Sequence, residues 1–265
     1  MMEFDDIARQ NRLKWEEDCR QTGQYTKPWL DLRADLVHAF VGGEIEFLPE
    51  PYAYVYPAHI FREIRGKDVL CLASGGGQQS AVFGLLGAKT TAYDLTEGQL
   101  EADRLAAEHH GYEIRTIQGD MRDLSFFSGA QFDLVYQEIS LCFVPDIRRV
   151  YREVVRVLRP GGIYRVGHVN PATYMVDAES WDGSAYHISG PYRGGGLSPE
   201  ECEGFYEFRH KFPDIFNGLI DAGLTIESVW EDPRHLRHDL QAAPGTDRHL
   251  LNVVQKFFCI VARKK

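Results

Sequence analysis

The sequence predicts an α/β protein: a mostly parallel sheet with helices on both faces, an antiparallel edge, and cap elements at the N-terminus and in an insertion. Three observations predict it. Between residues 67 and 170, short apolar runs alternate with amphipathic ones, the order of strands wrapped by helices. The apolar runs are continuous, as in "DVLCLA" at 68–73, which marks strands covered on both faces. The last strand-like runs, at 224–231 and 253–264, follow the final helix and suit an antiparallel pair at the sheet edge.

The elements follow in order. Residues 4–20 and 30–41 read as helices, with Trp15, Leu32 and Leu36 among their apolar positions, and Gly23 and Pro28 mark the loop between them. "PEPYAYVYPAHIF" leads into a short helix near 58–64. Strand 68–73 is followed by helical spacing over 78–87 and a β-branched strand at 89–94. Residues 96–111 form a charged amphipathic helix, with Thr96 as N-cap and Gly111 as stop. Strands at 112–118 and 132–138 precede a helix at 147–158, broken by "RPGG", and a strand at 162–169. From Asn170 to about Arg209 the rhythm is lost, and residues 211–223 restore a helix.

Composition narrows the function. A formal net charge of −10 over 265 residues repels phosphate backbones and anionic lipid, so neither nucleic acid nor a membrane surface is expected as a partner. Cys19, Cys71, Cys142, Cys202 and Cys259 are scattered, with no C-x-x-C pair; this predicts neither a disulfide framework nor a metal site, and fits a reducing cytoplasm. The charged N-terminus lacks the apolar core of a secretory signal, and no run is long enough to span a bilayer.

The chemistry concentrates at "VLCLASGGGQQS", residues 69–80. Glycines between a first strand and its helix let the backbone turn sharply and let a ligand approach closely. Asp94, at the end of the next strand, is placed to hold two ribose hydroxyls. The combination points to a nucleoside-containing cofactor. A dinucleotide site favours a third glycine three residues after Gly77, where this chain has Ser80.

Five ordered stretches, "VLCLASGGGQ", "AYDLTEGQL", "IQGDM", "FDLVYQE" and "EVVRVLRPGGI", resemble the class I S-adenosylmethionine-dependent methyltransferases, particularly bacterial members related to the quinone-biosynthesis type. The resemblance covers about residues 67–170 and implies a Rossmann-like seven-stranded sheet and S-adenosyl-L-methionine as cofactor. It divides one domain into N-terminal cap helices (1–66), a cofactor-binding core (67–170), an inserted substrate cap (171–210) and a C-terminal helix with edge strands (211–265). Carried over by position, Ala73, Ser74 and Gly75 line the methionine end, with Gly77 completing the loop. Asp94 binds the ribose and Leu95 packs on the adenine. Asp120 accepts from the adenine amino group, Met121 donates its backbone N–H, and Gln137 lies under the methionine portion. The family usually has an acid where Cys71 stands and glycine where Ala73 stands. For the missing acid, Tyr54, Tyr56 and His59 are possible substitutes.

Methyl transfer from an activated donor asks mainly for alignment and exclusion of water, with a base only where the acceptor keeps its proton. The base candidates are His168, at the end of the fifth strand, and His210. Tyr54, His59, Trp181, Tyr186, His187 and Arg193 are the expected acceptor-side residues, on a small-molecule pocket covered by an aromatic cap with "GGG" at 194–196 as its hinge. The competing readings are a nucleotide-dependent oxidoreductase and a non-catalytic module that holds the cofactor.

Overall fold

The computed structural model describes residues 5–21, 23–73, 75–192, 194–233 and 241–265. Helices α1 (Asp6–Arg20) and α2 (Ala34–Gly42) precede the sheet. The alternating part comprises β1 (Asp68–Leu72), α3 (Gln79–Leu85), β2 (Lys89–Asp94), α4 (Glu97–His110), β3 (Ile114–Gln118), β4 (Phe132–Gln137), α5 (Ile147–Val157) and β5 (Leu158–Val169). After it come a small antiparallel pair, β6 (Gly195–Leu197) and β7 (Glu207–Arg209), then α6 (Phe212–Asp221), β8 (Leu224–Glu231), a single turn α7 (Asp247–Leu250) and β9 (Phe257–Lys264).

The seven strands of the main sheet run in the order β3-β2-β1-β4-β5-β9-β8. Pairing is parallel from β3 through β5, and β9 is antiparallel to both neighbours, so the reversed strand lies one place in from the edge. The chain moves outward from β1 to β3 and then returns to β4 on the other side of β1. That reversal makes a crevice at the carboxyl ends of β1 and β4, where open α/β sheets bind ligands.

Each face of the sheet is packed by one apolar layer. The α5 face is filled by Val150, Tyr151, Val154 and Val157, which fall on one side of that helix, together with Ile215 and Leu219 of α6. On the other face Phe40 of α2, Phe61 and Phe83 pack against Tyr136 of β4. The expected break at "RPGG" is absorbed inside β5, where the β4–β5 register shifts between Phe132 and Leu134. The glycine run at 194–196 does not stand as a free hinge: Gly195 and Gly196 pair with Arg209 and Phe208. Among the described residues no helix is long and apolar enough to cross a membrane.

Candidate active site

Gly75, Gly76 and Gly77 all have left-handed backbones, with φ of 73°, 68° and 75°. A Cβ on Gly77 would lie 2.5 Å from the carbonyl oxygen of Ala102 in α4, so this glycine lets the loop pack on protein. Beneath the loop, the fully buried Asp103 of α4 accepts from the Gly77 N–H at 2.8 Å and the Ser80 hydroxyl at 2.5 Å. Ser80 thus ties helix to loop where a dinucleotide motif would have its third glycine. Gln78 pins the loop to the N-terminal segment, donating to the carbonyls of Gln24 and Lys27 at 2.9 and 3.0 Å and accepting from the Tyr54 hydroxyl. Ala73 keeps a left-handed φ of 50° without being glycine. Ser74 lies outside the described residues.

A slot opens beside this loop. Ala73, Gly75, Asp94, Leu95, Asp120 and Met121 all line it, so the structure brings together six of the residues expected at a cofactor. Asp94 ends β2 and is buried, and its Oδ1 accepts from the N–H and hydroxyl of Thr96 at 2.9 Å each, which orients the carboxylate at the start of α4. Asp120 is held by the Arg122 guanidinium at 2.5–3.0 Å, and Arg122 reaches on to Asp5 at 2.7 and 3.0 Å. That second contact anchors the start of α1, and the guanidinium holds the Asp5 carboxyl below its ordinary value. Helix α1 closes the slot with Ala8, Asn11 and Trp15. Asn11 binds the Phe143 carbonyl at 3.3 Å and both backbone groups of Tyr206, at 3.0 and 2.7 Å.

Gln137 lies beneath the slot, and His168 and His210 lie away from it. Gln137 is fully buried off the slot wall, accepting from the Tyr164 hydroxyl at 2.5 Å and donating to Ser140 Oγ at 2.8 Å. It also donates to Met121 Sδ at 3.3 Å, so it supports two slot-lining residues from beneath. His168 is 3% exposed, stacked on Phe258 and 3.3 Å from the Tyr151 hydroxyl. Burial pushes its imidazole down to about 3, so it stays neutral, away from both spaces that meet at the loop. A strand end was a poor guide here, because alternate side chains of β5 point into the α6 layer. His210 bridges the carbonyls of Leu141 and Val144 at 3.0 Å each through Nε2, which staples it to that turn. Neither histidine lines the slot or the larger cavity.

The larger space, about 920 Å³, adjoins the slot, and Tyr25, Ala73, Gly75, Ile139 and Phe143 line both. Tyr54 is on its wall, as expected. His59 is exposed against Trp230 and Glu227 at the β8 edge, and burial of its ring face lowers its affinity for a proton. Trp181 and Tyr186 form a cluster with His249, with ring centroids 4.9–5.6 Å apart, behind the cavity wall. His187 is on the surface, paired with Asp182 at 2.6 Å. None of these four lines the cavity, and Arg193 lies outside the described residues.

Sequence reasoning missed Glu138, Gln79 and Gln99. Glu138 follows β4, lines the large cavity and pairs with the fully buried Arg165 at 2.9 Å. Gln79 and Gln99 are each 4% exposed and carry side-chain oxygens with no hydrogen-bond partner, Gln79 on the large cavity and Gln99 on the slot. Buried acceptors without donors are uncommon. Two of them flanking one glycine loop fit a ligand rich in O–H and N–H groups, as S-adenosylmethionine is. An acid directly after a strand was the one available sequence signal, for Glu138; isolated glutamines give none.

A seven-stranded sheet with this order, one reversed strand and a glycine loop at the β1–β4 reversal defines a nucleoside-binding transferase fold. A methyltransferase-domain family matches residues 70–166. The chain is 37% identical over 185 residues to the uncharacterized methyltransferase YbaJ of Bacillus subtilis, covering 66% of this chain and 72% of that one. It is 32% identical to a ubiquinone biosynthesis O-methyltransferase of Pseudomonas syringae, over 63% of this chain and 68% of that one. In solved structures, the fold resembles an S-adenosylmethionine-dependent methyltransferase of Mesorhizobium loti, with a TM-score of 0.64 at 23% identity over 89% of this chain and 100% of that one. It also resembles the Burkholderia thailandensis 1,6-didemethyltoxoflavin-N1-methyltransferase, with a TM-score of 0.60 at 17% identity over 100% and 93%. The chain belongs to the class I S-adenosylmethionine-dependent methyltransferases.

Proposed function

We propose that this enzyme transfers a methyl group from S-adenosylmethionine to a small-molecule acceptor held in the 920 Å³ cavity. One observation carries the reading: Ala73 and Gly75 border both the slot and the cavity, so a ligand in the slot reaches the space where an acceptor fits. In this reading Asp94 takes the ribose hydroxyls and Leu95 one face of the base. Asp120 and the Met121 N–H take the base edge, and Ala73 and Gly75 back the amino-acid end. The bound cofactor supplies an activated methyl on a sulfonium. The chain's own work is to align the acceptor with it and exclude water, which α1 and residues 171–210 do as covers. The division into caps (1–66 and 171–210), core (67–170) and C-terminal part (211–265) belongs to this proposal.

The cavity volume is of the size that binds small ligands, and its walls mix aromatic with polar side chains, among them Tyr54, Tyr56 and Tyr174. The relatives named above for ubiquinone biosynthesis and for toxoflavin methylation act on small molecules, which supports the same class. Five free cysteines favour a reducing compartment, the cytoplasm. The test is calorimetric titration of S-adenosylhomocysteine into the folded protein, with mass spectrometry of any ligand that co-purifies. One-to-one binding is expected; no binding to folded protein sinks the proposal.

A further inference from the structure

The amino-acid end of the cofactor carries an ammonium, and a largely enclosed ammonium needs acceptors, best of all a carboxylate. The side chain of β1 nearest the loop on that face, Cys71, is a fully buried thiol that burial keeps protonated. Asp103 is close by but fully buried, its carboxylate turned to the Gly77 N–H and the Ser80 hydroxyl. The loop therefore has no accessible charge of its own among the described residues.

The neighbouring strand has one. The register pairs Leu72 with Gln137, which sets Glu138 level with Ala73, where the loop begins. Glu138 lines the cavity with Ala73 and Gly75. Its carboxylate is fixed by Arg165 at 2.9 Å and by the Tyr136 hydroxyl at 2.7 Å. Arg165 is itself fully buried, with its guanidinium 4.8 and 4.6 Å from the rings of Tyr56 and Tyr136. It also donates to the carbonyls of Tyr56, Gln137 and Tyr54, at 3.1, 3.2 and 3.4 Å. Burying a guanidinium is unfavourable unless its donors are met, and this setting meets four of the five N–H groups with oxygen acceptors while fixing one carboxylate at the cavity wall. Gln79 borders the same cavity, and its buried Oε1 has no partner within the protein.

We infer that Glu138 and Gln79 receive the ammonium of the cofactor's amino-acid end, so that the anchoring charge comes from the end of β4 rather than from β1. Tyr54 and Tyr56 act indirectly, through the carbonyls that hold Arg165, and His59 takes no part. The inference rests on the cofactor reading above.

Titration calorimetry with S-adenosylhomocysteine and with its deaminated counterpart, the same thioether ending in butyrate, tests it. Wild type should prefer the amine by about tenfold or more, as expected for a charge-assisted hydrogen bond. In Glu138→Gln the preference should fall to about twofold, because an amide oxygen replaces the carboxylate. Gln79→Leu leaves the Arg165 pair intact and should lower the preference partway, so it decides the matter if Glu138→Gln does not fold. A wild-type preference retained in the variants that fold overturns the inference alone. Failure of folded wild type to bind S-adenosylhomocysteine overturns the cofactor reading and this inference with it.

Discussion

At the scale of single residues, backbone strain and charge are separable at this site. Ala73 holds a φ of 50°, a conformation costing an L-residue about 1–2 kcal/mol, while glycine loses roughly 0.5–1 kcal/mol more backbone entropy on folding. Ala73→Gly should therefore leave stability unchanged or raise it by up to about 1 kcal/mol, read as an upward shift of the urea midpoint at constant slope. A clear loss of stability would mean that the methyl packs better than its exposure indicates. Asp94 has two tasks, holding Thr96 at the start of α4 and facing the slot. Asp94→Asn keeps the oxygen that holds Thr96 and removes the charge. S-adenosylhomocysteine affinity should drop by about 1–2 kcal/mol with the melting temperature nearly unchanged. Equal affinity would place the ribose elsewhere. The contrast with Gln79 marks what a sequence reveals at this scale. An acid after a strand and three glycines after another are unusual enough to stand out, whereas a glutamine becomes informative only when its oxygen is found buried without a donor.

At the scale of elements, the strands and helices of the sheet were legible because each carries its own period. The strand at 89–94 and the helices at 97–110 and 147–157 fall within a residue or so of their expected bounds. The role of α1 was not legible, because its fixing contacts are remote in sequence. Asn11 reaches Tyr206 across 195 residues, and Glu16 accepts from the N–H groups of Glu97 and Gly98 at 2.9 and 3.3 Å. No local pattern encodes such pairings. The aromatics of the insertion misled for a related reason: Trp181 and Tyr186 are drawn behind the cavity wall by His249, which follows them by more than 60 residues. If α1 is the cover of the slot, loosening its middle tether matters to the ligand. Asn11→Ala leaves buried backbone groups of Tyr206 and Phe143 without their partner. S-adenosylhomocysteine should then dissociate about tenfold faster, in line with a loss of 1–2 kcal/mol. Stopped-flow displacement gives the rate, and an unchanged rate would remove α1 from the binding site.

At the scale of the whole molecule, the sheet order places the ligand crevice between β1 and β4, while the far half of the sheet, from β5 to β8, is largely a support. His168 belongs to that support, and its burial ties stability to pH. In the unfolded chain its imidazole titrates near 6.5; in the folded protein it is pushed down to about 3, first by burial and then by the nearby charges of His210 and Arg165. Below about 6.5 the unfolded state therefore binds a proton that the folded state refuses, and stability falls as pH falls. Above 6.5 both states are neutral at this position and the contribution is flat. The loss from this one residue should run at about 1.4 kcal/mol per pH unit from near pH 6 to pH 4. The His210 ring, also lowered by burial, should add to the loss as the pH falls below its ordinary value of 6.5. Carboxylates held low by arginine partners, such as Glu153 beside Arg156, contribute in the same direction only once the pH approaches their ordinary range near 4.5. Denaturant unfolding of wild type and of His168→Leu across pH 4–8 separates these terms. The variant starts from a different absolute stability, but its slope between pH 6 and pH 4 should be shallower by about one proton. Turnover of the same variant, measured at pH 7.5, should stay within about twofold of wild type, because His168 is stacked on Phe258 and lines neither the slot nor the cavity, out of reach of an acceptor. Parallel stability slopes, or turnover that collapses with the pH dependence of a lost base, would return His168 to the active site.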